Sequence, residues 1–292
     1  MSECWLWHYT IVFIVFLSFL SCCKGYKTVV LIHGLNDNEH TFDYLSSYIK
    51  KKHPGTNTTS LALLDGWESF APLWFQIHHY GQCFKKIMKE NPDGVNLIGY
   101  SQGGLVGRGL IMSLDNHNIH SFISLSSPQM GQFGDSALFH KFFPKLIKEY
   151  AYKFFYTVKG QMLSVGNYWN DPHHQDLFLN MSAFLPFINN QISHQRNNDF
   201  KRNFLRLKNL ILIGGPDDGV VDPWQSSHFG FIDNYEQLVP MKQQQIYQYD
   251  TFGLKSLEEL GRVHVKVMAN VNHFEWHKNH TVFDKFILPF LN

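Results

Sequence analysis

Cysteine is scarce, and what there is sits mostly at one end. Of four cysteines in 292 residues, Cys4, Cys22 and Cys23 fall within the first 23, which leaves Cys83 alone in the rest. One thiol excludes an intramolecular disulfide framework. Charge is also thin: 17% of residues are charged, the formal net charge is +1, and the basic residues form no long run. That excludes an electrostatic track for nucleic acid. Metal-ligand patterns are missing too, with no HExxH and no spaced Cys pairs. The 17 His do include His173 and His174 beside Asp171 and Asp176, but adjacent His do not share one face, so no metal is expected. No internal repeat or low-complexity segment occurs.

Apolar residues are plentiful. They make up 44% of the chain, enough for a substantial core. Aromatics reach 16%, with 26 Phe, an excess that serves either a Phe-heavy core or an apolar cavity. The run Trp5 to Leu20, followed by Ser21, Cys22, Cys23 and Gly25, has the length of a secretory signal and falls short of a comfortable membrane span. Its first residues include Glu3 and no Lys or Arg, a poor signal start. Cleavage is expected near residues 23 to 25, giving a signal peptide over 1–25 and no stable membrane anchor afterwards. Sequons at Asn57, Asn180 and Asn279 fit passage through the secretory pathway.

From residue 26 onward, strand-like and helix-like segments alternate, the pattern of a mostly parallel sheet. Strands are predicted at Thr28 to Ile32, Thr59 to Leu64, Val95 to Gly99, Ser121 to Leu125, Asn209 to Ile213 and Val263 to Met268. Helices are predicted over 41–51, where Phe42, Leu45 and Ile49 recur at helical spacing, and over 72–90, 103–114 and 280–291. Order loosens between about 129 and 205, a stretch rich in Phe, Tyr and Trp that contains Pro144, Pro172 and Pro186. It reads as a helical lid inserted into a single domain spanning 26–292.

Gly99-Tyr100-Ser101-Gln102-Gly103 is a G-x-S-x-G motif. It follows the apolar run VNLI and precedes Leu105, Val106 and Leu110 at helical spacing, the strand-turn-helix setting of a nucleophile elbow. The turn is so tight that its neighbours must be small, and the serine then projects above the sheet edge. His33-Gly34-Leu35 ends the first strand, where this fold draws one oxyanion N–H. Leu35 and Gln102 are therefore the candidate donors, and His33 reads as structural. Chain order then requires an acid and a histidine downstream. Asp217, Asp218 and Asp222 follow the strand NLILIG, and His273 sits in the loop after VHVKVM. Its rivals His264, His277 and His280 fall within a strand or on or near the last helix.

At this level of detail the chain resembles the palmitoyl-protein thioesterases, serine hydrolases of the α/β-hydrolase fold. The similarity runs from about residue 27 to the end through VVLIHGL, GYSQGG, NYWNDPHHQDLFLNMSAFLPFIN, FLRLKNLILIGGPDDGVVDPWQSSHFGF and FGLKSLEELG. SFISLSSPQMGQFGD and GGPDDGV are most similar to the second of that family's two lysosomal paralogues. The resemblance implies a lysosomal or secreted enzyme that cleaves fatty-acyl thioesters with no cofactor, and it places Ser101, Asp218 and His273 on the triad positions. It also implies an acyl groove under the lid, for which Met130, Phe133, Phe184 and Phe187 are the candidate lining residues. The chain departs from the family in its cysteines, since members usually carry disulfides. Two alternatives stand beside this reading: a lipase or carboxylesterase using the same triad, and an inactive hydrolase-fold binding protein.

The acid follows a G-x-x-D-x-x-V register met by Gly215, Asp218 and Val221. Asp217 lies one residue off, and side chains on extended backbone alternate in direction. Asp222 precedes Pro223, which biases it to an extended position further along. The targeting segment and the sequons generate a first test. N-glycanase treatment of protein made in a secretory host should increase its gel mobility, and an unshifted band would place the chain outside that pathway.

Overall fold

The computed structural model describes residues 25–292. The expected signal segment over 1–25 lies almost entirely outside the described residues. Six parallel strands form the sheet: β1 (Thr28–Ile32), β2 (Thr58–Ser60), β3 (Val95–Tyr100), β4 (Ile119–Leu125), β5 (Asn209–Gly214) and β8 (Val263–Val267). Their spatial order is β2-β1-β3-β4-β5-β8. A separate antiparallel pair, β6 (Phe231–Ile232) and β7 (Leu238–Val239), lies between β5 and β8 in sequence.

The central strands are apolar on both faces, as a sheet covered on two sides requires. Alternation divides them: Val30, Ile32 and Leu97 join one core, while Val29, Leu31, Ile98, Tyr100, Ile123 and Ile213 join the other. Helix α1 (Asp43–Lys52) buries Leu45 and Ile49 in the second core. Helix α2 (Leu73–Glu90) and α3 (Gln102–Ser113), buried from Gln102 to Met112, pack into the first. The edge strand β8 is half-exposed and carries His264 and Lys266, charge and polarity that discourage pairing with another chain.

Two expected elements differ from what is observed. The strand expected over Thr59 to Leu64 stops at Ser60. The last helix, expected over 280–291, breaks into His280–Val282, a π-helical turn Phe283–Ile287 and a 3-10 turn Leu288–Phe290. Pro289 lacks the N–H that would continue an α-helical ladder. Between β4 and β5 the chain forms seven short α-helices, the longest being Asn197–Phe204. No helix among the described residues is long and apolar enough to cross a membrane.

The connections diverge at β1 and β3, neighbours followed by segments leaving toward opposite edges of the sheet. A crevice opens outside the carboxyl ends of the strands at such a point. The turn after β3 is closed by glycine. A Cβ on Gly99 would stand 2.5 Å from the Gly103 carbonyl oxygen and 2.6 Å from Gly104 Cα, backbone atoms that cannot step aside. Gly81 in α2 is different, because its Cβ would meet nothing nearer than Leu110 at 3.6 Å. Gly99→Ala should therefore destabilise the protein by roughly 1–3 kcal/mol or more. Gly81→Ala should be neutral or stabilise by about 0.5–1 kcal/mol. Urea denaturation of the two variants checks the contrast.

Candidate active site

Ser101 lies between β3 and α3 with φ 54° and ψ −128°. A non-glycine residue in that region costs on the order of 1–3 kcal/mol and persists only where its surroundings over-determine it. Here they do. Ser101 N–H donates to the Leu125 carbonyl at 2.9 Å, and Gly104 N–H returns to the Ser101 carbonyl at 3.0 Å. The strain turns Oγ out over the sheet edge.

His273 reaches that oxygen from the far side. Its Nε2 is 2.9 Å from Ser101 Oγ, and its Nδ1 is 3.0 Å from each oxygen of Asp218. A carboxylate on Nδ1 fixes that nitrogen as the donor and leaves Nε2 as the acceptor for the serine proton. Asp218 and His273 are both buried. Burial alone would raise the Asp218 carboxyl. The facing His273 ring, with hydrogen bonds from His273, Ser126 and the Val221 amide, outweighs it and holds the group below the ordinary carboxylate range. The loops are also joined through the backbone, with His273 N–H donating to the Asp218 carbonyl at 2.8 Å.

The competing residues have other work. Asp217 accepts the Asn270 amide at 2.7 Å, tying the acid loop to the histidine loop. Asp222 accepts the Phe133 amide on its carbonyl, and its amide donates to Gln132 Oε1 at 3.1 Å. His264 faces Asn209 on β5, and His280 packs on Tyr44 and Tyr48. His277 is wedged against Phe42 and Tyr100, where burial pushes its ring down to about 4. Of the candidate histidines, His273 is the one hydrogen-bonded to Ser101 Oγ.

Leu35 and Gln102 both border the serine. A Cβ on Gly34 would lie 3.0 Å from Ser101 Cβ, so the loop after β1 runs directly beside it. Gln102 opens α3, and the first amides of a helix have no acceptor within it. The Gln102 side chain, whose role is not legible from the motif, donates to the Ser69 carbonyl at 2.7 Å. His33 anchors the loop from behind, with Nε2 3.1 Å from the Leu63 carbonyl and 3.0 Å from Asp65.

An apolar cleft of about 470 Å³, measured out to its open mouth, runs from Ser101. Phe139, Phe142, Phe143 and Val165 wall it from the stretch after β4, and Leu35 and Val221 from the flanking loops. The four lining residues expected from the sequence are not among them. Met130 borders a different cavity with Asn170 and Phe231. Phe133 packs on Trp169 beneath Lys148, Phe184 fills space against Trp74, and Phe187 lies on His194. Met130, Phe133 and Phe184 are buried in the core, and Phe187 is half-buried beside His194, placements that aromatic composition does not encode. Exposure differs among the sequons: Asn57 and Asn180 are exposed, and Asn279 is half-buried at a helix N-cap.

Two more residues contact the acid, and the sequence reading missed both. Ser126 Oγ donates to Asp218 Oδ2, and Trp276 Nε1–H donates to the same oxygen at 2.7 Å. Ser126 stands just past β4, the strand between those carrying Ser101 and Asp218, and Trp276 lies three residues after His273. Those two positions are the signals that could have found them.

Known proteins align with this chain over most of its length. The family model described as palmitoyl protein thioesterase matches residues 28–273. Lysosomal thioesterase PPT2 of Rattus norvegicus is 48% identical over 268 residues, covering 92% of this chain and 89% of that protein. The Drosophila melanogaster homolog is 41% identical over 275 residues, covering 94% and 95%. Among solved structures, Bacillus licheniformis lipase BlEst2 in its propeptide form superposes with TM-score 0.50 at 15% identity, over 92% of this chain and 51% of that one. That last likeness is one of fold, the α/β-hydrolase fold.

The triad geometry predicts an ordering of acid variants. Asp218→Asn should lower turnover by roughly three to four orders of magnitude, because the amide no longer holds the required histidine tautomer. Asp217→Asn and Asp222→Asn should be much milder. Steady-state kinetics of the three purified variants decide it, and a larger loss at Asp222 would move the acid.

Proposed function

The chain belongs to the palmitoyl-protein thioesterase family, and we propose that it is a lysosomal serine thioesterase hydrolysing fatty-acyl thioesters through an acyl-enzyme on Ser101. The observation that carries this reading is the continuous relay from Asp218 through His273 to Ser101 at the head of an apolar cleft.

Cleavage proceeds in two halves. His273 Nε2 accepts the Ser101 proton as Oγ attacks the thioester carbonyl. The amides of Leu35 and Gln102 stabilise the oxyanion, and Asp218 stabilises the imidazolium that forms. Collapse of the tetrahedral intermediate expels the thiol, protonated by His273. Water then enters, gives a proton to the same nitrogen and attacks the acyl-serine, releasing the fatty acid and restoring Ser101. The acyl chain lies along Phe139, Phe142, Phe143 and Val165, with the stretch between β4 and β5 as its lid. Burying each methylene there contributes about 0.8 kcal/mol, which favours long chains over short ones. No step calls for a cofactor. The names of the PPT2 relatives support the lysosomal location, and the expected signal and sequons agree with it.

A substrate panel tests the reading. Palmitoyl-CoA should be turned over faster than a p-nitrophenyl ester of matched chain length, and shortening the acyl group should raise KM. Ser101→Ala should lose on the order of 10⁴ to 10⁶ in rate and all labelling by a fluorophosphonate. Preference for the oxygen ester would make the protein a lipase-type esterase instead. Absence of labelling in the wild type would make it a binding protein.

A further inference from the structure

We propose that Trp276 is a positioning residue of the triad: with Ser126 it clamps Asp218 Oδ2 and keeps the acid ionised at low pH. The inference rests on the reading above only in taking Ser101, His273 and Asp218 as the catalytic relay.

The local backbone delivers Trp276 to that oxygen. Residues His273–Glu275 form a 3-10 turn started by Asn272, whose side chain accepts the Phe274 amide, while Glu275 reaches back to the Asn272 amide at 3.3 Å. A 3-10 turn has three residues per turn, so side chains three apart project the same way. His273 and Trp276 are three apart, and both point at Asp218. The indole is fully buried in the core that holds Tyr100 and Ile213. It lies against Gly215 of the acid loop, where a Cβ would come within 3.3 Å of the ring edge.

Donors cover both oxygens of the carboxylate. Oδ1 accepts the Val221 amide at 2.7 Å and the Val220 amide at 3.1 Å. Oδ2 accepts Ser126 Oγ and Trp276 Nε1. His273 Nδ1 is shared between them. Three of these partners, Trp276 and the two valine amides, can only donate, so they favour the ionised acid over the protonated one. Other titratable groups face the pair. Tyr100 donates its hydroxyl to the His273 carbonyl, His277 packs on Tyr100, Asp217 sits beside the acid in sequence, and Asp37 acts on Tyr100 and His277 from the other side. None of these four donates to Asp218, so the donors on Oδ2 are what the clamp can lose.

The sign of the effect follows. Removing a donor makes the carboxylate more basic, and the proton-bound form of the Asp218–His273 pair is then favoured at any given pH. The acid limb of the pH–rate profile moves upward. Trp276→Phe keeps most of the ring volume and deletes the N–H, and Ser126→Ala deletes the other donor to the same oxygen. The readout is the pH dependence of the second-order rate of Ser101 labelling by a fluorophosphonate, which requires no particular natural substrate. For Trp276→Phe the acid limb should rise by about one pH unit, the scale of one lost charge-assisted hydrogen bond. On the acid side of the wild-type limb, labelling should fall by up to about tenfold relative to wild type, with a much smaller loss at pH 7.5. Ser126→Ala should move the limb in the same direction.

A role in packing alone makes the opposite prediction: a lower Tm with an unmoved acid limb. That result in a folded Trp276→Phe protein overturns the proposal. If Trp276→Phe does not fold, Ser126→Ala decides by the same limb. Labelling that persists in either variant at pH 7.5 leaves the Ser101 reading standing whichever way the limb falls.

Discussion

Everything in the site depends on a strained turn being held rigid between two sheet neighbours. Ser101 keeps a positive φ because its amide is committed to Leu125 at the end of β4 and its carbonyl to Gly104 in the first turn of α3. Relaxing it would break the register of a strand buried on both faces. That route is closed at modest cost, so the serine stays raised over the sheet edge where the His273 imidazole reaches it. The glycines around it are part of the same device. They let α3 and the loop after β1 approach to distances no side chain would allow.

The second constraint is electrostatic. A buried carboxylate is expensive unless donors surround it. Asp218 has backbone amides on one oxygen, a hydroxyl and an indole on the other, and the histidine across both. The same contacts that make its burial tolerable fix the direction of the His273 ring. Stability of the acid and orientation of the base are therefore one set of interactions. Asp217 contributes at one remove, by fastening the two loops that carry the pair.

The stretch between β4 and β5 shapes what can be bound. Its helices are too short to be stable alone, and they are held by aromatic packing, as in the cluster of Phe139, Phe143, Phe155 and Trp169. Phe139 and Phe143 serve twice, packing inward on that cluster and facing the cleft beside Ser101. Phe residues thus supply both core and cavity wall, and the two uses proposed for the Phe excess are both realised.

The sequence by itself determined the parallel sheet, the elbow at Ser101 and the chain order of acid and base. Each of these is local: a strand, a tight turn and the residues directly beside it obey short-range steric rules. It also carried the choice of Asp218 through its register after β5. Only the tertiary structure decided which phenylalanines face the cleft, because irregular short helices have no long period from which to read a face. Met130, Phe133 and Phe184 are buried away from the cleft and Phe187 packs on His194 instead. The partners of Asp218 were hidden by distance along the chain, since Ser126 and Trp276 lie 92 and 58 residues away. Contacts between strand ends are set by sheet order, and sheet order emerges only when the whole core packs.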